Sequence, residues 1–304
     1  MTPVKNQNIK NHILKSNKFV FVILHYQSLD ETIHETQHIL NELDGDNQVV
    51  IVDNASPNES GVKLKEIFAD NQNVDVILNQ ENLGYAKGNN LGIAFAVTKY
   101  NPDFLVLANN DIEFLQSDFN QLVEQSYNEQ TFDLLGPDIF VPETGIHQNP
   151  KKQTGYSLSE VEAIHQHSKK LLNQNKLMFL IRANLKRIRG LRRYVLNIRQ
   201  SNKSRHDVMK KNVVLHGSLL VFSKSFFHQL NTPFDEGTFF YFETEILDRK
   251  MRELKLVSKY DPSIVVKHHQ NTSTKQSFKS AVAQQKFQLE NMKKSTQRFI
   301  DLFG

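Results

Sequence analysis

Apolar runs of four to six residues alternate with stretches of helical periodicity over the first third of the chain. The predicted strands are Phe19–Leu24, Val49–Val52, Val74–Leu78 and Phe104–Ala108. Predicted helices cover Leu29–Leu43 and the segment from Val62 to Phe68, and a glycine-rich helix precedes the fourth strand. Strands and helices that alternate at this spacing predict an α/β fold with a mainly parallel sheet and right-handed crossovers.

Polar residues follow three of these strands. The first strand ends at His25 and Tyr26, the second at Asp53, and the fourth at Asn109–Asn110–Asp111. Ligands of open α/β sheets bind at the carboxyl ends of the strands, so this edge is the predicted nucleotide site. Asp111, flanked by amide carbonyls, offers hard oxygen ligands for Mg²⁺ or Mn²⁺ that also binds a diphosphate. The alternative interpretation is an ordinary Asn/Asp turn after a strand.

Glycine recurs every fourth residue in Asn79–Ile93, at Gly84, Gly88 and Gly92. On a helix these positions form one bare stripe, which costs about 2–3 kcal/mol relative to alanine. Close packing on the sheet or contact with a sugar nucleotide would offset that cost, and both alternatives stay open. The segment matches neither a Walker loop nor a GxGxxG fingerprint.

The second half of the chain predicts further core elements. They are a helix over Phe114–Tyr127, an irregular strand over Leu134–Val141, a strand over Val213–Phe222 that contains Gly217, a strand over Pro262–Val266 that leads to His268 and His269, and a polar helix over Ser277–Phe303.

Acidic and aromatic residues are interleaved in Thr232–Leu247. A carboxyl group among phenylalanines tends to have a raised pKa, which suits a general base, and this makes Glu243 and Glu245 candidates. The other interpretation is a helix N-terminus capped by Thr244 and acidic residues. The two interpretations are compatible.

Composition and charge restrict the class of protein. The absence of cysteine excludes disulfides and thiolate sites, and no apolar run is long enough for a membrane span or a signal peptide, so we expect a cytoplasmic protein. Residues 151–211 contain 16 lysines and arginines against three acidic residues, although the whole chain carries only +4. Basic residues and apolar residues alternate at helical spacing in Leu171–Ile198, which favours contact with an anionic membrane surface over a merely solvated face. No motif of RNA-binding proteins supports a nucleic-acid partner.

The order of these motifs resembles the family 2 glycosyltransferases of the GT-A fold, and among them bacterial rhamnosyltransferase-like enzymes of capsule and surface-polysaccharide assembly. The motifs are VILHYQSLDET, IVDNAS, NQENLGYAKGNNLGI, LANNDI, HGSLLVFSKSFF, PFDEGTFFYFETEIL and VVKHHQNTST. The resemblance runs from about Phe19 to Thr274. It implies a Rossmann-like central sheet flanked by helices, with the basic segment 151–211 as a helical insert.

The resemblance also implies roles for individual residues. Asp53 would hold the nucleoside, and Asn109–Asn110–Asp111 stands in the place of the DxD metal motif with Asp111 as the main ligand. His268 matches a histidine near the diphosphate and is the second predicted metal ligand. The other donor-binding residues predicted are His25, Tyr26, Asn82, Gly84, Lys87, Asn90, Asn109, Asn110 and Gly217. The base is normally the second of two adjacent acids, but Thr244 stands there, so Glu243 is the first candidate and Glu245 the second.

The implied reaction is metal-dependent, inverting transfer of a sugar, rhamnose among the candidates, from a UDP- or dTDP-linked donor to a hydroxyl of a lipid-linked surface glycan. The predicted organisation is an N-terminal tail (1–17), a glycosyltransferase domain (18–275) and a C-terminal helix (276–304), at the inner face of the plasma membrane. Two alternatives remain: a non-catalytic nucleotide-sugar or membrane-binding homologue, which Thr244 motivates, and a sugar nucleotidyltransferase. The second would begin with a glycine-rich phosphate loop carrying Arg and Lys, which FVILHYQSLDE lacks.

Overall fold

In this computed structural model, residues 17–175, 178–180, 206–269 and 280–304 are described. The strands are β1 (Phe19–His25), β2 (Gln48–Asp53), β3 (Val74–Leu78), β4 (Phe104–Asn109), β5 (Ile112–Phe114), β6 (Leu134–Val141), β7 (Ile146–His147), β8 (Lys210–Lys211), β9 (Leu219–Ser223) and β10 (Ser258–His268). The helices are α1 (Leu29–Asn41), α2 (Ser60–Ile67), α3 (Gly84–Tyr100), α4 (Phe119–Glu129), α5 (Leu158–Leu172), α6 (Lys224–Gln229), α7 (Glu243–Glu253) and α8 (Ala281–Phe303).

One sheet runs through the described part of the chain in the order β3-β2-β1-β4-β9-β6-β10-β5. Strands β3, β2, β1 and β4 are parallel to their neighbours. Strand β9 is antiparallel to both β4 and β6, whereas β10 is parallel to β6 and antiparallel to β5. The α/β class is therefore confirmed, but the sheet is mixed, because only the first four strands are joined by the predicted helical crossovers.

Both faces of the sheet are covered. Along β1, Phe19, Phe21 and Ile23 pack into one apolar cluster with residues of α1, α2 and α4. The intervening Val20 and Val22 pack into a second cluster with residues of α3, α6 and α7. A strand that is buried on both faces has no polar alternation, which explains why it appears in the sequence as a continuous apolar run.

Two predicted elements have different bounds in the structure, and both differences affect the candidate site. The predicted helix over Phe114–Tyr127 begins at Phe119, since Ile112–Phe114 forms β5 and pairs with β10. The predicted strand over Val213–Phe222 begins only at Leu219. The preceding residues form a loop, in which Val214 bridges to Lys152.

Other predicted bounds also shift. Strand β6 is regular, β10 starts before Pro262 and has an irregularity between Asp261 and Val265, and α8 starts at Ala281. Most of the predicted basic helix Leu171–Ile198 and residues 1–16 of the predicted N-terminal tail lie outside the described residues.

The glycine stripe of α3 packs on the sheet. A Cβ atom at Gly92 would lie 2.6 Å from Val22 and 2.7 Å from Val52, and one at Gly88 would lie 2.7 Å from Leu24. Close approach of α3 to β1 and β2 is therefore the reason for these two glycines. Gly84 differs, because it has φ +73° and approaches the backbone of a distant loop.

We predict that Gly92→Ala destabilises the protein, although alanine has the higher helix propensity. The propensity gain of about 1 kcal/mol is outweighed by the clash of the new methyl group with Val22 and Val52, since overpacking a core costs about 1–3 kcal/mol. Urea unfolding measures the difference. Thr98→Ala on the exposed face of the same helix is the control and should not destabilise. A stabilised Gly92→Ala variant would contradict the close packing of α3.

Candidate active site

Strand register brings the predicted polar residues to one edge. His25 is paired with Asp53 across β1 and β2, and Leu24 is paired with Asn109 across β1 and β4. The carboxyl ends of the three strands therefore lie side by side, with half-buried Tyr26 just beyond β1. This is the edge at which we predicted the nucleotide site.

The side chain of His25 is buried below this edge. Its Nδ1 lies 2.8 Å from Thr32 Oγ1 on α1, and its Nε2 lies 2.7 Å from Ser60 Oγ on α2. Burial lowers the pKa of His25 to about 4, so the ring is neutral near pH 7. With both nitrogens engaged, His25 joins β1 to two helices. The structure gives its side chain this structural role instead of the predicted contact with a donor.

Asp53 lies at the end of β2 and is held in place by Ser56. The Ser56 hydroxyl donates to Asp53 Oδ1 at 2.5 Å, and Gly61 leaves room for the carboxylate, since a Cβ there would lie 2.2 Å from Asp53 Cγ. Burial raises the pKa of Asp53, and the hydrogen bonds from Ser56 offset part of that rise. The carboxylate is thus fixed at the edge without a cationic partner among the described residues.

Asn54 organises the loop that leads into α3, and we did not predict it as a site residue. Its Nδ2 donates to Asn82 Oδ1 at 3.0 Å and to the Gly84 carbonyl at 3.1 Å, while its Oδ1 accepts from the Leu83 amide at 2.9 Å. Asn82 Oδ1 also accepts from the Gly84 amide. The signal was present in the sequence, because Asn54 follows Asp53 directly in the motif IVDNAS.

Two further donor-binding predictions fall on α3. Asn90 donates from Nδ2 to the Phe234 carbonyl at 2.8 Å and accepts the Phe234 amide at Oδ1, so its side chain ties α3 to the backbone of Phe234, and its contact with a donor stays a prediction. Lys87 is exposed and lines an open cavity of about 210 Å³, together with Asn82 and Phe239.

The two predicted metal ligands lie next to each other. Asp111 Oδ1 is 3.1 Å from His268 Nε2, and both side chains are nearly buried. The pairing of β5 with β10 produces this contact, because it places Ile112 opposite His268. His268 Nδ1 lies 2.7 Å from Gln148 Oε1. An amide oxygen only accepts, so Nδ1 carries the proton and donates it.

On a neutral ring this hydrogen bond leaves the Nε2 lone pair facing a carboxylate oxygen, whereas on a protonated ring Nε2 donates to that oxygen. Two acceptors at that distance require a proton or a cation between them. Ligands placed about 2.1 Å from a metal ion at a right angle are about 3.0 Å apart, so the observed 3.1 Å suits Mg²⁺ or Mn²⁺. In the described ranges, no group of three or more histidines and acidic residues could hold a metal ion. Among the described residues, Asp111 and His268 thus form a pair that is not part of a larger cluster of such groups.

The amides before Asp111 have structural partners. Asn110 Nδ2 donates to Thr32 Oγ1 at 3.0 Å, and the Asn109 backbone amide donates to the Ser218 carbonyl at 2.9 Å. These bonds fix the turn that follows β4. The Asn110 side chain and the Asn109 backbone thus help to fix the position of Asp111, and the role of Asp111 as a metal ligand stays a prediction.

Residues 214–218 pass between the metal pair and α7. The ring of His216 lies 6.0 Å from that of His268, and the Gly217 carbonyl accepts from Tyr85 Oη at 2.6 Å. A Cβ at Gly217 would lie 2.9 Å from Tyr85 Oη and 3.3 Å from Thr244 Cγ2. At Gly217, a predicted donor-binding residue, the loop is thus in close contact with Tyr85 of α3 and Thr244 of α7.

Both base candidates lie in the first turn of α7. The residue that precedes this helix is Phe242, with φ 73°. Thr244 therefore lies inside the helix, whereas one of our interpretations made it the cap. Glu243 is buried with Oε1 unpartnered, and burial raises its pKa to about 8. Glu245 Oε1 lies 2.6 Å from Lys151 Nζ, and Thr244 Oγ1 donates to Glu245 Oε2 at 3.1 Å. The two carboxyl groups therefore have different surroundings, since Oε1 of Glu243 is unpartnered whereas both oxygens of Glu245 are engaged.

Helix α8 holds the loop in front of α7. Arg298 Nε donates to Asp235 Oδ1 at 2.8 Å, and Ser295 Oγ donates to the Phe240 carbonyl at 3.0 Å. The rings of Phe299 and Phe242 meet edge to face at 5.8 Å. The predicted polar C-terminal helix is thus part of the support of the acidic segment, which its polar sequence did not reveal.

A comparison of the sequence with models of protein families shows to which family the chain belongs. The model described as glycosyl transferase family 2 matches residues 20–199, more than half of the chain. The chain belongs to glycosyl transferase family 2. No match was found among curated proteins.

Solved structures with the same fold include other glycosyltransferases. A crystal structure of GalNAc-T7 with UDP, GalNAc and Mn²⁺ has a TM-score of 0.53 at 14% identity, over 84% of this chain and 44% of that one. Residues 1–349 of S. aureus TarS in complex with UDP give 0.50 at 14% identity, over 83% and 60%. Longer S. aureus TarS gives 0.51 at 14%, over 83% and 36%. The chain thus spans between about a third and three fifths of these proteins.

The predicted GT-A fold is therefore confirmed for this member of glycosyl transferase family 2. Within the residues described, no helix combines the length and the apolar character that crossing a bilayer requires.

The buried Glu243 makes stability depend on pH. Its folded-state pKa of about 8 lies above its ordinary value of 4.5, so the unfolded chain releases this proton first as pH rises. Stability should fall by up to about 1.4 kcal/mol per pH unit between those values, and Glu243→Gln should remove this dependence. Urea unfolding at pH 5 and pH 8 should show Glu243→Gln gaining on the wild type as pH rises, while Glu253→Gln, at the exposed end of α7, should not. An equal difference at both pH values would contradict a protonated Glu243.

Proposed function

We propose that the protein is a metal-dependent, inverting glycosyltransferase that moves a sugar from a nucleoside-diphosphate donor to a hydroxyl group of a glycan. The observation that carries the proposal is the 3.1 Å contact between Asp111 Oδ1 and His268 Nε2 at the carboxyl edge of the sheet. Two acceptors in contact at the ligand-binding edge of a family 2 fold are what a cation shared with a diphosphate requires.

Asp111 and His268 would hold Mn²⁺ or Mg²⁺, with diphosphate oxygens as further ligands. When bound, the ion would neutralise the negative charge that builds up on the departing nucleoside diphosphate. GalNAc-T7 was crystallised with UDP and Mn²⁺ and the TarS fragment with UDP, which supports a uridine donor and a divalent cation here as well. Asp53 and the loop organised by Asn54 would receive the nucleoside.

Glu243 would be the general base. The ionised form of Glu243, which its pKa of about 8 makes the minor form at pH 7, would accept at Oε1 the proton of the acceptor hydroxyl while that oxygen forms a bond to the anomeric carbon. The bond between the anomeric carbon and the diphosphate breaks on the opposite side, and its electron pair leaves with the diphosphate. Glu245 is the weaker candidate because both of its carboxylate oxygens are already engaged, one by Lys151 and one by Thr244.

Rhamnose as the sugar and a lipid-linked surface glycan as the acceptor complete the proposal, together with contact at the inner face of the plasma membrane. The resemblance to surface-polysaccharide enzymes supports the first two. The 16 basic residues in 151–211 support the third, because anionic lipids attract such segments.

The experiment measures release of nucleoside diphosphate from UDP- and dTDP-sugars, with a lipid-linked glycan acceptor and with Mn²⁺ or Mg²⁺. We expect chelation or Asp111→Asn to remove turnover, and Glu243→Gln to lower kcat by about 10²–10⁴-fold because it removes the base. Nucleotide binding, followed by the shift in thermal unfolding, should survive in Glu243→Gln and require metal in the wild type. Asp70→Asn, at an exposed position, is the matched control and should behave as wild type.

Each outcome bears on a separate part of the proposal. Full turnover of Glu243→Gln with loss in Glu245→Gln would make Glu245 the base. Metal-dependent UDP or dTDP binding without turnover on any donor and acceptor would mean a non-catalytic nucleotide-sugar binder, the alternative that Thr244 motivates. Turnover that persists in Asp111→Asn would overturn the metal site.

A further inference from the structure

Lys151 reaches the acidic turn of α7 from a distant part of the chain. Its backbone amide donates to the Val214 carbonyl at 2.8 Å, and Asn149, two residues earlier, accepts the His216 amide at 2.7 Å. Residues 149–152 therefore run alongside the same loop that lies between the metal pair and α7. This pairing directs the Lys151 side chain to Glu245.

The ion pair that Lys151 makes is buried at its carboxylate end. Lys151 Nζ lies 2.6 Å from Glu245 Oε1, where the glutamate side chain is only 3% exposed and the lysine side chain 33%. The neighbouring Lys152 also makes an ion pair, at 2.7 Å, but its partner Glu160 is 48% exposed. A carboxylate in water, such as Glu160, gains little from a cationic partner, whereas a carboxylate as buried as Glu245 needs one.

Glu243 lies two residues before Glu245 in the same turn. The titratable groups that act on it are Glu245, Lys151, Tyr85 from α3 and Tyr241 from the preceding loop. Burial raises the pKa of both tyrosines above the ordinary value, so they are neutral near pH 7. The charges that Glu243 experiences are therefore the carboxylate of Glu245 and the ammonium of Lys151.

These two charges have opposite effects on Glu243. Burial is the main cause of its raised pKa; the Glu245 carboxylate adds to the rise and the Lys151 ammonium reduces it. Lys151 itself keeps its charge, since the adjacent Glu245 outweighs the effect of burial and raises the pKa of the ammonium.

We propose that Lys151 is a positioning residue for Glu243, because its ammonium neutralises Glu245 and so lets the Glu243 carboxyl take up and release a proton without an uncompensated anion beside it. The proton-accepting role of Glu243 rests on the proposed function, but the coupling of the three side chains is a property of the folded chain alone. It can therefore be tested without donor or acceptor.

The test is a ¹³C NMR titration of protein labelled at glutamate carboxyl carbons, with the Glu243 signal assigned by its loss in Glu243→Gln. Lys151→Met should move the Glu243 midpoint upward by about one pH unit or more, since Glu245 is left as an unpaired anion. Glu245→Gln should move it downward, since the ammonium is left unpaired. The double variant should return it toward the wild-type value, and Lys151→Arg, which keeps the charge, should leave it in place. Lys152→Met is the matched control and should not move it.

Opposite shifts in the two single variants with a return in the double variant establish the coupling. An unmoved midpoint in both single variants overturns it, whatever their stability. If Lys151→Met does not fold, Glu245→Gln and the double variant decide: a double variant whose midpoint stays at that of Glu245→Gln, and does not move back up toward the wild-type value, also overturns the coupling. The same variants then separate the coupling from catalysis: shifts in the titration without turnover in the donor assay would leave the coupling intact and contradict the proposed function.

Discussion

Two hydrogen-bond acceptors that face each other are the constraint on which the candidate site depends. His268 Nδ1 donates a hydrogen bond to Gln148 Oε1, so on a neutral ring the Nε2 lone pair is directed at Asp111 Oδ1 across 3.1 Å. That arrangement is unfavourable until a proton or a cation lies between the two atoms. The fold maintains it through a short strand, since β5 follows Asp111 directly and pairs with the end of β10. The sheet itself thus holds the histidine and the carboxylate against each other.

The other half of the site depends on burial. The first turn of α7 contains two carboxyl groups two residues apart, and one is protonated by burial while the other is neutralised by Lys151. Helix α8 stabilises this turn through Arg298 and Phe299, although α8 lies far away in sequence. The loop at Gly217 lies between the two halves and is packed so closely on Tyr85 and Thr244 that a side chain there would displace one of them. The metal pair and the proposed base are therefore held by one continuous set of contacts.

The strands of the first half could be predicted because they are buried on both faces, and the carboxyl ends of parallel strands necessarily meet at one edge. For that reason Asp53, Asp111 and His268 could all be chosen as candidate site residues from their position after apolar runs. The hydrogen-bond partners of His25 and Asn90 could not be predicted in this way. The pattern indicates that a polar residue lies near the edge, but not which hydroxyl or carbonyl group forms a hydrogen bond with it. Long-range partners such as Lys151 with Glu245 and Arg298 with Asp235 leave no local pattern at all. The antiparallel direction of β9 could not be predicted from the pattern either, because a strand's apolar run does not indicate the direction in which the strand runs.

The most direct test of the account is electron paramagnetic resonance of Mn²⁺ bound to the protein together with UDP or dTDP, with detection of weak nuclear couplings. We predict a nitrogen coupling from the His268 ring and a phosphorus coupling from the diphosphate in the same spectrum, with the nitrogen coupling lost in His268→Ala and unchanged in His167→Ala. Mn²⁺ that shows the phosphorus coupling without any nitrogen coupling in the wild type would contradict the claim that Asp111 and His268 hold the ion together.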